Sequence, residues 1–292
     1  MTEWKNNNWY REGIYNMKTW FITGISRGLG LALAEAALQR GDTVIGTVRE
    51  GKPALDDSKG KLHVLTLEMT DAAAVKAAVD NAFTLAPRID VVVNNAGHGL
   101  LGAFEDAGDA DIERLFAVNV FGPMRVIRAA LPYLRKQGAA HIINVTSIAG
   151  RAPGAGSVVY AATKSALEGV SQSLSQELGA LGIKVTAVAP GAFRTDFLSA
   201  HSIRRSGDVS SDYAQTAGNA VSRLDSMDGK QQGDPVRGAE AILALVDAEK
   251  APVHLLLGSD ALKRAREKLD VVMDEIAAWE KITAGTDYPS AH

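Results

Sequence analysis

The sequence predicts an α/β fold, a doubly wound, seven-stranded parallel sheet with helices on both faces. Three observations carry this. Short runs rich in Val, Ile and Leu alternate with helical stretches along most of the 292 residues, the pattern of a parallel sheet covered on both sides. These runs are apolar throughout, as strands buried on both faces are. A glycine-rich segment follows the first run and opens the first helix, a strand-to-helix turn suited to a phosphate-bearing ligand.

The elements follow in order. "TWFIT" (19–23) is the first strand, and "LGLALAEAALQRG" (29–41) is a helix with Gly41 as its stop. "DTVIGTV", "LHVLTL", "IDVVVNN", "AHIINVTS", "IKVTAVAP" and "PVHLLLG" supply six further strands. Helical stretches are expected near 71–86, 109–136, 158–181, 235–249 and 260–280. No linker is long enough to divide two domains, so residues 17–292 read as one catalytic domain. The polar, Asn-rich residues 1–16 read as a frayed, disordered extension, with docking through Trp4 and Trp9 as the other reading.

Between the sixth and seventh strands, residues 191–234 read as an irregular substrate loop rich in Ser, Gly, Asp and Arg. It leaves the carboxyl end of a strand, where open parallel sheets bind ligands, and long loops there are often lids. Its middle, "RRSGDVSSD", reads equally well as a disordered surface segment.

Formal net charge is −3, which argues against a nucleic-acid surface or a polybasic membrane anchor. The chain has no cysteine, so disulfides, thiolate metal sites and a cysteine nucleophile are excluded. No metal site is read from it. No apolar run approaches the ~20 residues that span a bilayer, and the opening residues lack a signal-peptide centre. A cytoplasmic protein acting on a small molecule is expected.

Chemistry is suggested first by "TGISRGLG", Thr23 to Gly30. Gly24 permits a tight turn, Gly28 lets backbone approach a pyrophosphate, and Gly30 lets the helix pack against the strand. Ser26, Arg27 and Leu29 lie in the same turn. A nicotinamide dinucleotide lacking the 2′-phosphate usually meets an acidic residue at the end of the second strand. Here that end reads Thr47, Val48, Arg49. Arg49 and Arg27 together would clamp a phosphate, favouring NADP over NAD. Glu50 could instead turn onto the ribose hydroxyls, and either arginine could be an ordinary solvated side chain.

The second suggestion is "YAATK", with Tyr160 and Lys164 four residues apart on one helical face. An ammonium within about 4 to 6 Å lowers the pKa of a phenol that would otherwise titrate near 10. The pair could then exchange a proton with an alcohol or carbonyl oxygen.

In sequence order, "TGISRGLG", "NNAG" (Asn94–Gly97), "NVFG" (Asn119–Gly122), Ser147, "YAATK" and "PGAFRT" (Pro190–Thr195) resemble the short-chain dehydrogenase/reductase family, in its compact single-domain branch. The resemblance covers about residues 17–200 and implies a Rossmann fold. It implies a catalytic tetrad of Asn119, Ser147, Tyr160 and Lys164, with Thr146 facing away from it. Lys164 would also reach the nicotinamide ribose, and Asn119 would hold a water linking Lys164 to solvent. Glu68 and Met69 stand near the adenine where the family commonly has Asp. Asn95, Ala96 and Gly97 would pass beside the nicotinamide-side ribose or simply support the sheet, and Pro190, Gly191 and Thr195 would border the carboxamide.

The activity so implied is hydride transfer between NADP(H) and a carbonyl or secondary alcohol, with Tyr160 as acid/base. Alternatives are an NAD-dependent dehydrogenase of the same family and a non-catalytic redox sensor that binds the cofactor. The related epimerase branch has a different glycine spacing and a longer substrate domain. A homodimer or homotetramer through the helices near 119–136 and 158–181 is expected. His98, Phe193, His201 and Tyr213 are candidates for substrate contact.

Overall fold

The computed structural model describes residues 17–199, 202–207 and 210–288; the readings of residues 1–16 and of His201 lie outside them. Seven parallel strands form the central sheet: β1 (Thr19–Ile22), β2 (Thr43–Val48), β3 (Lys61–Thr66), β4 (Val91–Asn94), β6 (Ala140–Val145), β7 (Ile183–Pro190) and β9 (His254–Leu257). Their order is β3-β2-β1-β4-β6-β7-β9, and every neighbouring pair is parallel. The doubly wound expectation therefore holds. From β1 the chain first builds outward to β3 and then returns to place β4 on the other side of β1. That reversal opens a crevice at the carboxyl edge of the two strands.

Alternation along the strands divides the core into two layers. Trp20 and Ile22 point to one face, where they meet Leu33, Ala34, Ala37 and Leu38 of α1 (Gly28–Gln39) and Ala239 and Ile242 of α7 (Pro235–Asp247). Phe21 points to the other face, packed with α2 (Ala72–Leu85), α4 (Gly122–Gln137) and the end of α5 (Val158–Gly179). Val91, Val92 and Val93 feed both layers, so the apolar run in "IDVVVNN" is explained by burial on both sides.

Two features differ from the sequence expectation. The stretch 109–136 is helical as expected, but a π turn, Ala117–Phe121, interrupts its regular winding between α3 (Asp109–Phe116) and α4. The loop 191–234 is not irregular throughout. It contains β8 (Ile203–Arg205) and α6 (Asn219–Ser226), and β8 pairs in parallel with β5 (Gly99–Leu101) as a separate two-stranded sheet. Ser206, 3% exposed, ties it down further by donating to the carbonyls of Leu101 and Ala103.

The chain closes with α8 (Ser259–Ala284). Ala261 and Ala265 pack against Ile148 and Ala152, whereas nearly all residues beyond them are exposed. Among the described residues no helix is long and apolar enough to cross a membrane.

Candidate active site

A cavity of about 1150 Å³ lies along the carboxyl edge of the sheet. Its walls bring together most of the sequence-predicted residues: Gly24, Ser26, Arg27, Gly28, Leu29, Arg49, Glu68, Met69, Asn95, Ala96, Gly97, Ser147, Tyr160, Lys164, Pro190, Gly191 and Thr195. Gly30 and Asn119 stand just behind this surface, buried.

The glycine turn is built by close approach. Gly28 has φ +61°, the left-handed region that L side chains rarely adopt. A Cβ on Gly30 would collide with the Asn95 amide and the Gly24 carbonyl. Asn95 explains that closeness: its Nδ2 donates to the carbonyls of Thr23 (3.0 Å) and Gly24 (2.8 Å). Thr23 Oγ1 accepts from the amides of Asn95 and Ala96. The "NNAG" segment thus fastens the turn to β4, favouring its supporting role. No side chain caps α1, so the first-turn amides remain available to an anion at the helix's positive end.

At the far end of this wall, Arg49 and Glu50 are both exposed at the end of β2. Burial acts to raise the Glu68 pKa, but hydrogen bonds from Thr70, with the charges of Arg114 and Arg49, lower it overall. Met69 is 4% exposed, belongs to the core and lies against Gly122, so packing already explains it.

The catalytic candidates come from three elements. Ser147 follows β6 and also begins a short 3-10 turn, accepting from the Ala149 amide at 3.1 Å. The serine thus caps this turn and lines the cavity at once. Thr146 points the other way, donating to Glu168 and to the Val188 carbonyl. Tyr160 and Lys164 sit in the first turns of α5, 9% and 5% exposed. Lys164 Nζ donates to the Val145 carbonyl at 2.9 Å and stands 5.8 Å from the centre of the Tyr160 ring.

The ionisation of this pair differs from the expectation. Burial pushes the Tyr160 phenol up to about 12, and the Ser147 hydroxyl only partly opposes the rise. Burial draws Lys164 down to about 8, opposed by the charge of Glu168. The phenol is thus raised rather than lowered, because desolvation of the phenolate outweighs the hydrogen bond from Ser147.

Asn119 owes its position to the π turn, a local widening of the helix. It is 1% exposed; Oδ1 accepts from the His98 amide and Nδ2 donates to the His98 carbonyl and to Thr163. A Cβ on Gly97 would meet Asn119 Oδ1 and Lys164 Nζ, at 3.1 and 3.6 Å. Asn119 Oδ1 and Lys164 Nζ therefore both lie beside Gly97.

The loop 191–234 forms the facing wall. Thr195 lies over Gly28 and accepts from the Phe197 amide at 3.3 Å. Phe197 lies 5.7 Å from Tyr160, ring centre to ring centre, and Leu198, Ile203, Leu224 and Met227 continue an apolar lining. The sequence reading missed these residues because only three-dimensional pairing of β8 with β5 brings them to the site. It also missed Gln231, 1% exposed on this wall, whose amide nitrogen and oxygen lack a partner among the described residues.

Of the suggested substrate contacts, His98 lines the cavity. Burial, with the charges of Arg204, Arg114, Arg49 and Lys164, lowers it to about 4, so it is neutral at pH 7. Phe193 reaches the cavity but also fills space beside Gly233 and Gly238. Tyr213 is directed elsewhere, to Glu105 at 2.6 Å.

The model of the family described as short chain dehydrogenase matches residues 18–205. The chain belongs to this family. It is 37% identical over 270 residues to oxidoreductase BOA17 of Botryotinia fuckeliana, covering 91% of this chain and 98% of that one. The crystal structure of a short-chain dehydrogenase from Streptomyces avermitilis superposes with a TM-score of 0.86 at 39% identity, covering 93% of this chain and all of that one. At 25% identity, with a TM-score of 0.69, lies a 3-ketoacyl-(acyl-carrier-protein) reductase from Brucella melitensis in complex with NADH, covering 82% of this chain and 96% of that one. ElxO with NADP bound is 26% identical with a TM-score of 0.70, covering 85% and 99% of the two chains. An oxidoreductase using a nicotinamide cofactor follows from this membership. The features of this chain fit such a group: an open helix N-terminus at a glycine cradle, and an unpartnered buried amide at Gln231 on the facing wall.

Proposed function

We propose that this chain is an NADP(H)-dependent carbonyl reductase or alcohol dehydrogenase with Tyr160 as the acid/base. The observation that carries the reading is the cluster of half-buried Ser147 with buried Tyr160 and Lys164 in a cavity that also contains the glycine turn. The bound nicotinamide supplies or accepts the hydride; the protein supplies position and protons.

Burial raises the Tyr160 pKa to about 12, so the phenol holds its proton at neutral pH and is in the state needed to donate it to a carbonyl oxygen as that oxygen gains charge. Ser147 holds the same oxygen and stabilises the charge. Lys164, at about 8, is still mostly an ammonium at pH 7 yet can exchange its proton readily. Asn119 fixes the backbone beside Lys164 and completes a route for proton replacement. Arg49 and Arg27 favour the 2′-phosphate.

The protein is read as cytoplasmic and as a homodimer or homotetramer through α4 and α5, acting on a small carbonyl or alcohol without nucleic acid or membrane. The test follows nicotinamide absorbance on a panel of ketones with NADPH and with NADH. NADPH should be used better, and Arg49→Ala should raise its KM about tenfold while leaving that for NADH nearly unchanged. Better use of NADH by the wild type would overturn the arginine argument. NADPH binding without turnover on a broad panel would favour the sensor.

A further inference from the structure

The feature left unexplained by hydride transfer is the outer part of α8. From Arg266 onward this helix stands almost free of the described body, and Leu269, Met273, Ile276, Trp279 and Ile282 are each more than half exposed. Most helical stability in proteins comes from packing an apolar face, and an exposed apolar surface of this kind marks an interaction site. The sequence says what kind. Leu269, Val272, Ile276, Trp279 and Thr283 are spaced 3, 4, 3 and 4 residues apart, the a/d pattern of a two-helix seam. The seam runs about 21 Å at 1.5 Å per residue.

Charge selects the partner and its direction. Residues 262–269 carry four cations and one anion (Glu267), whereas residues 270–284 carry four anions and one cation (Lys281). A second copy running parallel would set like ends together; running antiparallel, it sets the basic half of each helix against the acidic half of the other. We propose that α8 pairs antiparallel with α8 of a second copy of this chain.

Register follows from the heptads. With the two-fold axis beside Asp274, Leu269 packs against Trp279 of the second copy and Val272 against Ile276. Arg266 then flanks Glu280 of the second copy, and Met273 faces Met273. The two catalytic bodies, attached at the helix N-termini, then lie at opposite ends of the pair. This surface is separate from α4 and α5.

The test uses the full chain, which is free of cysteine. Light-scattering mass should halve in Leu269→Asp/Ile276→Asp, with NADPH binding retained as evidence of folding. Arg266→Glu should weaken assembly at least tenfold, and adding Glu280→Arg should restore it, because the swap re-forms the same pairs in reverse. Oxidised Met273→Cys should cross-link, whereas Leu262→Cys, far from its copy in this register, should not. A monomeric wild type, an unchanged mass in the double-Asp variant, or cross-linking of Leu262→Cys with none at Met273→Cys would overturn the proposal.

Discussion

The two walls of the cavity are held in different ways. One wall is the edge of the parallel sheet: the glycine turn after β1, the Asn95 clamp after β4, Ser147 after β6, and the buried start of α5. Each part is fixed by the strand beneath it and by buried or partly buried hydrogen bonds. The other wall is the segment 191–234, held to the body by three-residue strands, by Ser206 and by Phe193. The groups assigned to protons and phosphates under the proposed function stand on the first wall, and an apolar lining stands on the other. On that reading, chemistry and selectivity are carried by different parts of the chain.

The largest effect should come from removing the proton donor on the first wall. Tyr160→Phe should lower kcat about 10³- to 10⁴-fold and leave the NADPH dissociation constant within a factor of about two, measured by fluorescence titration. A fall of less than tenfold would mean that another group delivers the proton. Gly30→Ala should come next, because the added methyl meets both the Asn95 amide and the Gly24 carbonyl. Overpacking of this kind costs about 1–3 kcal/mol, read as a lower urea midpoint, together with weaker NADPH binding. Unchanged values for both would show that the clamp can yield.

Acid should also act on the sheet side. His141 of β6 is 4% exposed, bonded to Thr186 of β7 at 2.9 Å, and lowered by burial to about 4. Its folded pKa lies below the unfolded value, so the unfolded chain binds more protons between about pH 6.5 and 4. The stability it contributes is present above that window and is lost as pH falls through it, by about 2 kcal/mol between pH 7 and 5. His98, also lowered to about 4, acts in the same direction. Urea midpoints across this range should fall, and His141→Leu should flatten the slope; an unaltered slope would place the proton uptake elsewhere.

The first wall was the legible one. Parallel strands buried on both faces leave unbroken Val and Ile runs, Tyr160 and Lys164 show themselves by their four-residue spacing on one helical face, and Ser147 follows from the family resemblance. Asn119 could be named from "NVFG", but the π turn that places it could not, since one extra residue in a turn barely disturbs the periodicity of 109–136. The sign of the Tyr160 shift was missed because burial is a property of the fold, and a four-residue spacing says nothing about desolvation. Gly99–Leu101 and Ile203–Arg205 are too short to read as strands alone and acquire meaning only as a pair. For the same reason Phe197, Ile203 and Leu224, far apart from Leu101 in sequence, gave no signal of sharing a wall.

The smallest effect should come from that second wall, and it tests the division most directly. Leu224 is half-buried beside Leu101, Ile203 and Val221 and lines the cavity. Truncation in Leu224→Ala removes apolar contact worth about 1.4 kcal/mol if roughly two methylene groups lose most of their burial. That is a tenfold loss in kcat/KM for an apolar ketone. Because Leu224 is placed to meet the substrate's flank, the loss should appear in KM, with kcat nearly unchanged. A small polar ketone that does not reach the wall should show no loss, and the NADPH KM should stay the same. A fall in kcat for both substrates would mean that α6 also sets the geometry at Tyr160, through Phe197, and that the two walls act as one.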